Sequence, residues 1–189
     1  MYHDLHCTIR GAAPLLMHNG QLANPLNHFT QAMKKITANR GKTEADLEEL
    51  AHLEWSGGLY LHHQEPCLPG ELIEGTLVGA AKKRRRGKQV TAGVWCEDNF
   101  PLQYEGPRAP EEIWEDPRFR LTTGVRVKQS RVMRTRPRFE KWAADITLIF
   151  NDELVNQSEV LELLRIAGEQ VGIGDWRPKF GRFVVERDS

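Results

Sequence analysis

Hydrophobic and polar positions follow one period and then another along the chain, and each change of period marks an element. Leu5 to Arg10 alternate as a half-buried strand requires, until Gly11, Ala12, Ala13 and Pro14 break the pattern before Leu15-Leu16-Met17 and a turn at His18-Asn19-Gly20. Asn27 is placed to cap a helix reaching Lys35. Thr43 followed by Asp46 marks a second helix start, with Leu47, Leu50 and Leu53 as its apolar stripe. A short strand is expected from Gly58 to His62. Pro69-Gly70 opens a third helix, Glu71 to Lys83, in which Leu72, Ile73, Leu77 and Ala80 recur at helical spacing, and Gly75, Gly79 and Ala81 allow close packing onto a sheet.

Beyond it, from Gln89 to Pro117, the periodicity dissolves into short extended pieces with proline and acidic turn residues. Gly124 to Met133 alternates at period two, a strand whose wet face carries Arg126, Lys128 and Arg131. Trp142 to Phe150 gives a further strand with Ile146, Leu148 and Phe150 on one face. Ser158 is expected to cap a helix from Glu159 to Gln170 that turns Val160, Leu163, Leu164 and Ala167 inward, and Phe183 to Glu186 closes the chain as a strand. This order predicts an α+β fold: a ferredoxin-like or RRM-like antiparallel sheet with helices on one face. A single domain over 1–189 is expected, with a β-rich insertion at about 89–138.

Composition narrows the function more than the fold. At 189 residues and 40% hydrophobic, the chain can bury one core. No 18-residue apolar window exists, and Met1-Tyr2-His3-Asp4 lacks the basic and apolar regions of a signal peptide, so a soluble cytoplasmic protein is expected. Cys7, Cys67 and Cys96 are widely spaced and odd in number, which suits reduced thiols. Twenty-six cations balance 26 acids, yet their distribution is uneven. Between Pro117 and Phe139 lie eight cations (Arg118, Arg120, Arg126, Lys128, Arg131, Arg134, Arg136, Arg138) and no acid, and Lys82-Lys83-Arg84-Arg85-Arg86-Gly87-Lys88 places six in seven positions. Acids collect at Glu44 to Glu54, Glu111 to Asp116 and Asp152 to Glu162. A basic face rich in arginine, set apart from an acidic one, suits a phosphate backbone. Met133 and Phe139 interleave apolar surface with the arginines, as a single-strand binder requires.

The stretch from Val171 to Phe183 gathers Gly172, Gly174 and Gly181 with Arg177, Lys179 and Arg182 around Trp176. Such a loop is either a helix C-cap with an ordinary turn, or an anion cradle in which Gly172 and Gly174 let the backbone close on phosphates.

Three pieces in one order resemble the RAMP superfamily, whose members supply backbone subunits of CRISPR effector complexes. They are Ile9-Arg10-Gly11-Ala12-Ala13-Pro14-Leu15-Leu16, the helix start Leu68-Pro69-Gly70-Glu71-Leu72-Ile73-Glu74-Gly75-Thr76-Leu77, and the glycine-rich Gly172 to Phe183. The family's serines after Pro-Gly are Glu71 and Leu72 here, and Val78 stands where an arginine is usual. The resemblance implies a ferredoxin-like core that binds single-stranded guide RNA across adjacent copies or related subunits, with a β-hairpin thumb crossing the strand. The matching insertion here is Gln89 to Arg138. Nucleic-acid contacts are expected at Lys82, Lys83, Arg84, Arg85, Arg86, Arg126, Lys128, Arg131, Met133, Arg134, Arg136, Arg138, Gly172, Gly174, Trp176, Arg177, Lys179 and Arg182.

Some members of the superfamily cut RNA. His18, His28, His62 and His63 offer imidazoles, but the loop from His18 to Leu26 has no aspartate, so metal-dependent cleavage is not expected. His62, His63, Cys67 and Cys96 lack zinc-ligand spacing. No catalytic residue, metal or cofactor is assigned. The rival readings are an RNA endonuclease of the same fold using His18 or His62, and a module for single-stranded DNA or for protein.

Overall fold

The computed structural model describes residues 1–97, 99–127 and 129–186, with the side chains of Val127 and Ser130 left aside. In chain order its elements are β1 (Tyr2–Gly11), β2 (Leu15–Leu16), α1 (His28–Ala38), α2 (Glu44–Gly58), β3 (Leu61–His62), β4 (Glu65–Pro69), α3 (Gly70–Lys83), α4 (Gly87–Gly93) and β5 (Val94–Trp95). There follow β6 (Asn99–Pro101), α5 (Pro110–Glu115), β7 (Arg120–Val127), β8 (Ser130–Phe139), β9 (Ala143–Asn151), α6 (Gln157–Ile166) and β10 (Phe183–Glu186).

The main sheet has the order β10-β1-β9-β5, antiparallel throughout. Taken as β1-α3-β5-β9-α6-β10, this is the ferredoxin-like arrangement, in an α+β protein. Strand alternation explains the layers: Leu5, Cys7 and Ile9 of β1 and Ala144, Ile146, Leu148 and Phe150 of β9 are all buried. They join Ile73, Leu77 and Ala80 of α3 and Val160, Leu163 and Leu164 of α6 in one core. Each buried Leu, Ile, Val or Phe of this set contributes about 1.5–3 kcal/mol. The opposite face is polar, with His6 bonded to Thr147, Thr8 donating to Asp145, and Arg10 paired with Glu186.

Two segments are inserted into this frame and grip each other. Residues 12–69, between β1 and α3, bring β2, α1, α2, β3 and β4; residues 96–142, between β5 and β9, bring β6, α5 and the β7–β8 hairpin. Leu15 and Leu16 pair with Phe139 and Arg138, making a second sheet ordered β2-β8-β7. Trp55 of α2 is fully buried and donates its indole N–H to the Phe119 carbonyl at 2.9 Å. The hairpin is therefore rooted on a helix from the other insertion.

Four local expectations are corrected. Gly124 to Met133 is not one strand: the chain reverses between Val127 and Ser130, and Arg126 lies opposite Arg131. The stretch from Gln89 begins inside α4, and Val94–Trp95 joins the main sheet instead of standing outside it. Leu47 is 53% exposed, because α2 buries its C-terminal half through Glu54, Trp55, Gly57 and Gly58. Asn156, not Ser158, caps α6: its side-chain oxygen accepts from the Glu159 N–H at 2.9 Å and from the Ser158 hydroxyl at 2.6 Å. Thr43 and Asp46 do form both halves of a capping box.

Asn156→Ala is expected to cost about 1 kcal/mol and Ser158→Ala no more than about 0.5 kcal/mol. Urea unfolding midpoints compare them, and equal losses would contradict this capping geometry.

Candidate nucleic-acid interface

The hairpin sorts its cations by register. Directly opposite residues share a face, so Arg126, Arg131, Gly124 and Met133 lie on one side, and Thr123, Arg134, Leu121 and Arg136 on the other. On the first face Arg126 and Arg131 are exposed, and Met133 is 60% exposed. Both guanidiniums reach solvent on one face of the hairpin, where a phosphate chain can meet them. Lys128, assigned to the same region, lies outside the described residues. At the root, Arg120 stacks on Trp114 with its guanidinium 4.3 Å from the ring centre.

The second face is tied down. Arg136 donates from Nη1 to Glu54 at 2.9 Å and from Nε to Asp175 at 3.0 Å. Glu54 also accepts the Thr135 N–H at 2.9 Å and lies 3.4 Å from Arg134. With a side chain only 8% exposed and a carboxylate on either side, Arg136 is a structural ion and is withdrawn from the interface expected for it. The same bond explains Asp175, an acid in a loop otherwise suited to anions. Arg134, 38% exposed, still reaches solvent beside Glu54, whereas Arg138 pairs with Glu140. Glu54 was not singled out from the sequence. The available signal was an acid closing an apolar helical stripe next to Trp55.

His18 stands close to this cluster, with part of its ring in solvent. Partial burial, and secondly the charge of Arg136, hold its imidazole below the ordinary value of 6.5. Its carbonyl accepts from the Tyr60 hydroxyl at 3.0 Å.

The glycine loop is built for self-contact. Gly172, Gly174 and Gly181 all have left-handed φ, of 75°, 82° and 71°. A Cβ on Gly172 would crowd the Phe180 carbonyl, and one on Gly174 would strike the Leu16 carbonyl. The loop's N–H groups also turn inward: Gly172 donates to Ala167, Ile173 to Gly181, Asp175 to Leu16 and Gly181 to Pro14. Gly172 and Gly174 therefore let the loop close on the chain's own residues 14–16 and on itself, and the expected backbone cradle for phosphate is replaced by a scaffold. What it offers to solvent is side chains. Arg177, Lys179 and Arg182 are exposed and Trp176 is half-buried. Arg177 donates to the Thr76 hydroxyl at 3.3 Å, and Thr76 donates to the Gly172 carbonyl at 2.8 Å, which fixes the loop on α3.

The basic block at the end of α3 divides in the same way. Arg84 pairs with Glu162 at 2.8 Å, and Arg86 forks onto Glu159 at 2.8 and 3.1 Å. Those two guanidiniums hold α6, while Lys82, Lys83 and Arg85 remain exposed. Seven residues of helix put Lys83 about 10 Å along the axis from Thr76, so the block and the glycine loop are separate patches.

Among the described residues no group of three His, Cys, Asp or Glu side chains is arranged to hold a metal. His62 and His63 pack on each other with ring centres 4.0 Å apart. Burial pushes the Cys67 thiol up to about 11, so it is protonated at neutral pH.

No protein-family model matches the chain. No curated protein matches it either. Among solved structures it is similar to Cmr6 from Pyrococcus furiosus, with 10% identity over 97% of this chain and 98% of that one, at a TM-score of 0.37. No helix among the described residues is long and apolar enough to cross a membrane.

Glu54→Gln, which takes from Arg136 one of its two carboxylates, is expected to cost about 1.5–3 kcal/mol. Calorimetry that shows less than 1 kcal/mol would contradict the clamp. For His18 the lowered folded pKa means that the native state binds its proton less readily than the unfolded chain. Its contribution is complete above about 6.5 and is lost as pH falls below that value towards the folded pKa. His18→Gln should therefore lose less stability than wild type between pH 7 and pH 5.5.

Proposed function

We propose that this chain binds single-stranded RNA without strong sequence preference and without cutting it, as a subunit that repeats side by side with copies of itself or with related subunits along a guide strand. The observation that carries this reading is the hairpin face on which Arg126, Arg131 and Met133 stand together. The cations suit phosphates, and an exposed apolar group beside them suits unstacked bases. The ribbon is rooted by Trp55 and by the Glu54–Arg136 pair, so its cations project from a rigid base. Arg177, Lys179, Arg182 and Arg134 extend the positive surface beyond it. The three sequence pieces that resemble RAMP proteins, in the order required by the ferredoxin-like sheet, make a CRISPR-type ribonucleoprotein the natural setting. The exposed Glu111, Glu112 and Glu115 on α5 give a neighbouring copy's cations a carboxylate surface, in a contact that need not close into a ring.

Fluorescence anisotropy with a 30-nucleotide RNA tests the reading. Arg126→Ala and Arg131→Ala should weaken all sequences alike and each reduce the slope of log K against log salt by about 0.7. Light scattering should show larger particles once RNA is added. A protein that stays monomeric with RNA and binds it no better than a neutral control at low salt overturns the proposal. A matching DNA strand separates readout of the 2′-hydroxyl from backbone binding alone.

A second reading has one specific support, the neutral imidazole of His18 near Arg134 and Arg136, which suits a general base. RNA cleavage without metal that disappears in His18→Ala would put the catalytic reading in place of the first.

A further inference from the structure

We propose that the concavity at the turn between α3 and α4 binds the phosphate monoester of a nucleotide, at a site separate from the hairpin and the glycine loop. The concavity has a volume of about 570 Å³, and Lys82, Arg85, Lys88 and Gln89 line it together with Thr91 and Ala92. That is room for a nucleoside monophosphate.

Three observations converge here. The first is how the cations of one short segment divide. Arg84 and Arg86 turn to Glu162 and Glu159 on α6, whereas Lys82, Arg85 and Lys88 border the concavity, and among the described residues no carboxylate lines it. Three cations around one hollow exceed what a singly charged phosphodiester needs, and they suit a monoester carrying up to two negative charges at neutral pH.

The second is backbone strain. Arg85 has φ 58°, at the position after the helix cap where glycine is usual. The turn closes by the bonds glycine would make, with Arg85 N–H donating to the Lys82 carbonyl at 3.1 Å and Arg86 N–H to that of Ala81 at 2.9 Å. An arginine held in this conformation turns its side chain to the hollow at a cost that glycine would avoid, a pattern that marks functional positions. The third is Gln89. Its amide oxygen is shut off from water and has no hydrogen-bond partner among the described residues. A nucleoside hydroxyl or amino group satisfies that acceptor after a small rotation of the side chain.

The phosphate belongs either to the end of an RNA strand or to a free nucleotide, and the experiment separates them. Titration calorimetry uses adenosine monophosphate and adenosine as probes. Adenosine monophosphate should bind wild type saturably, with adenosine at least tenfold weaker. Arg85→Gly and Lys88→Ala should each weaken the monophosphate about fivefold or more, and Arg85→Gly should melt at the wild-type temperature or above it. Arg126→Ala and Arg131→Ala should leave this binding within twofold, so failure of the strand-binding reading leaves the site testable.

Adenosine binding as tightly as its monophosphate, indifference to Lys88→Ala, or equal losses in the hairpin variants would each overturn the proposal. Short RNAs with 5′-phosphate, 3′-phosphate or hydroxyl ends then name the source. A preference for a phosphorylated end that Lys88→Ala abolishes assigns the strand terminus, and equal binding of all three assigns the free nucleotide.

Discussion

Arg136 holds its guanidinium between Glu54 of α2 and Asp175 of the glycine loop, and three segments far apart in sequence meet on that one side chain. Burying an arginine is expensive unless its charge is answered and its donors are met. Both conditions hold here, and the Thr135 N–H onto Glu54 adds the hairpin backbone to the same node. Removing one partner leaves the others charged and dry, so the pieces stand or fall together. The exposed cations of the hairpin and of the loop keep their relative positions because a hidden one ties their bases to each other. Such an ion cluster is weak grounds for stability against an apolar replacement of the same shape. Its value lies in fixing which surfaces lie side by side.

The core elements were legible because each carried its own period. Leu5, Cys7 and Ile9, and Ile146, Leu148 and Phe150, alternate as buried strand faces must, and Val160, Leu163, Leu164 and Ala167 recur as a helix demands. Their order alone points to the ferredoxin-like sheet. The hairpin turn was hidden because Val127-Lys128-Gln129-Ser130 contains no glycine or proline; its one trace is the polar run from Lys128 to Arg131, which interrupts the alternation set by Val125 and Val127. The role of Arg136 was hidden for another reason. A run of arginines gives no sign of which member faces inward, and its partners stand 82 and 39 residues away. Gly172 and Gly174 show the same gap between a residue's capacity and its use: glycine's freedom to take positive φ is readable, but the carbonyls they make room for are those of Phe180 in the same loop and of the distant Leu16.

The main sheet shares its topology with domains that stack RNA bases on the open sheet face, yet the middle of that face is committed elsewhere. Asp145 accepts from Thr8 and from Gln103, His6 is bonded to Thr147, and Arg10 is matched to Glu186. Carboxylates in the centre of a surface repel a phosphate chain, and paired side chains offer no flat platform. Positive charge therefore gathers on the insertions and on the helix side of the fold, which is where the two proposed ligand sites fall.

Strand β7 has a neighbour, β8, on one side; among the described residues no strand pairs with its other side. The outward-turned half of the backbone groups on this eight-residue strand, which contains no proline, makes a template onto which another chain can zip, the first step of aggregation. Arg120 and Arg126, spaced along that edge, act as gatekeepers, because like-charged strands approach each other poorly. The ribbon's positive charge thus guards solubility whatever it binds, and a chain stripped of it for the sake of weaker ligand binding also loses its protection against self-pairing.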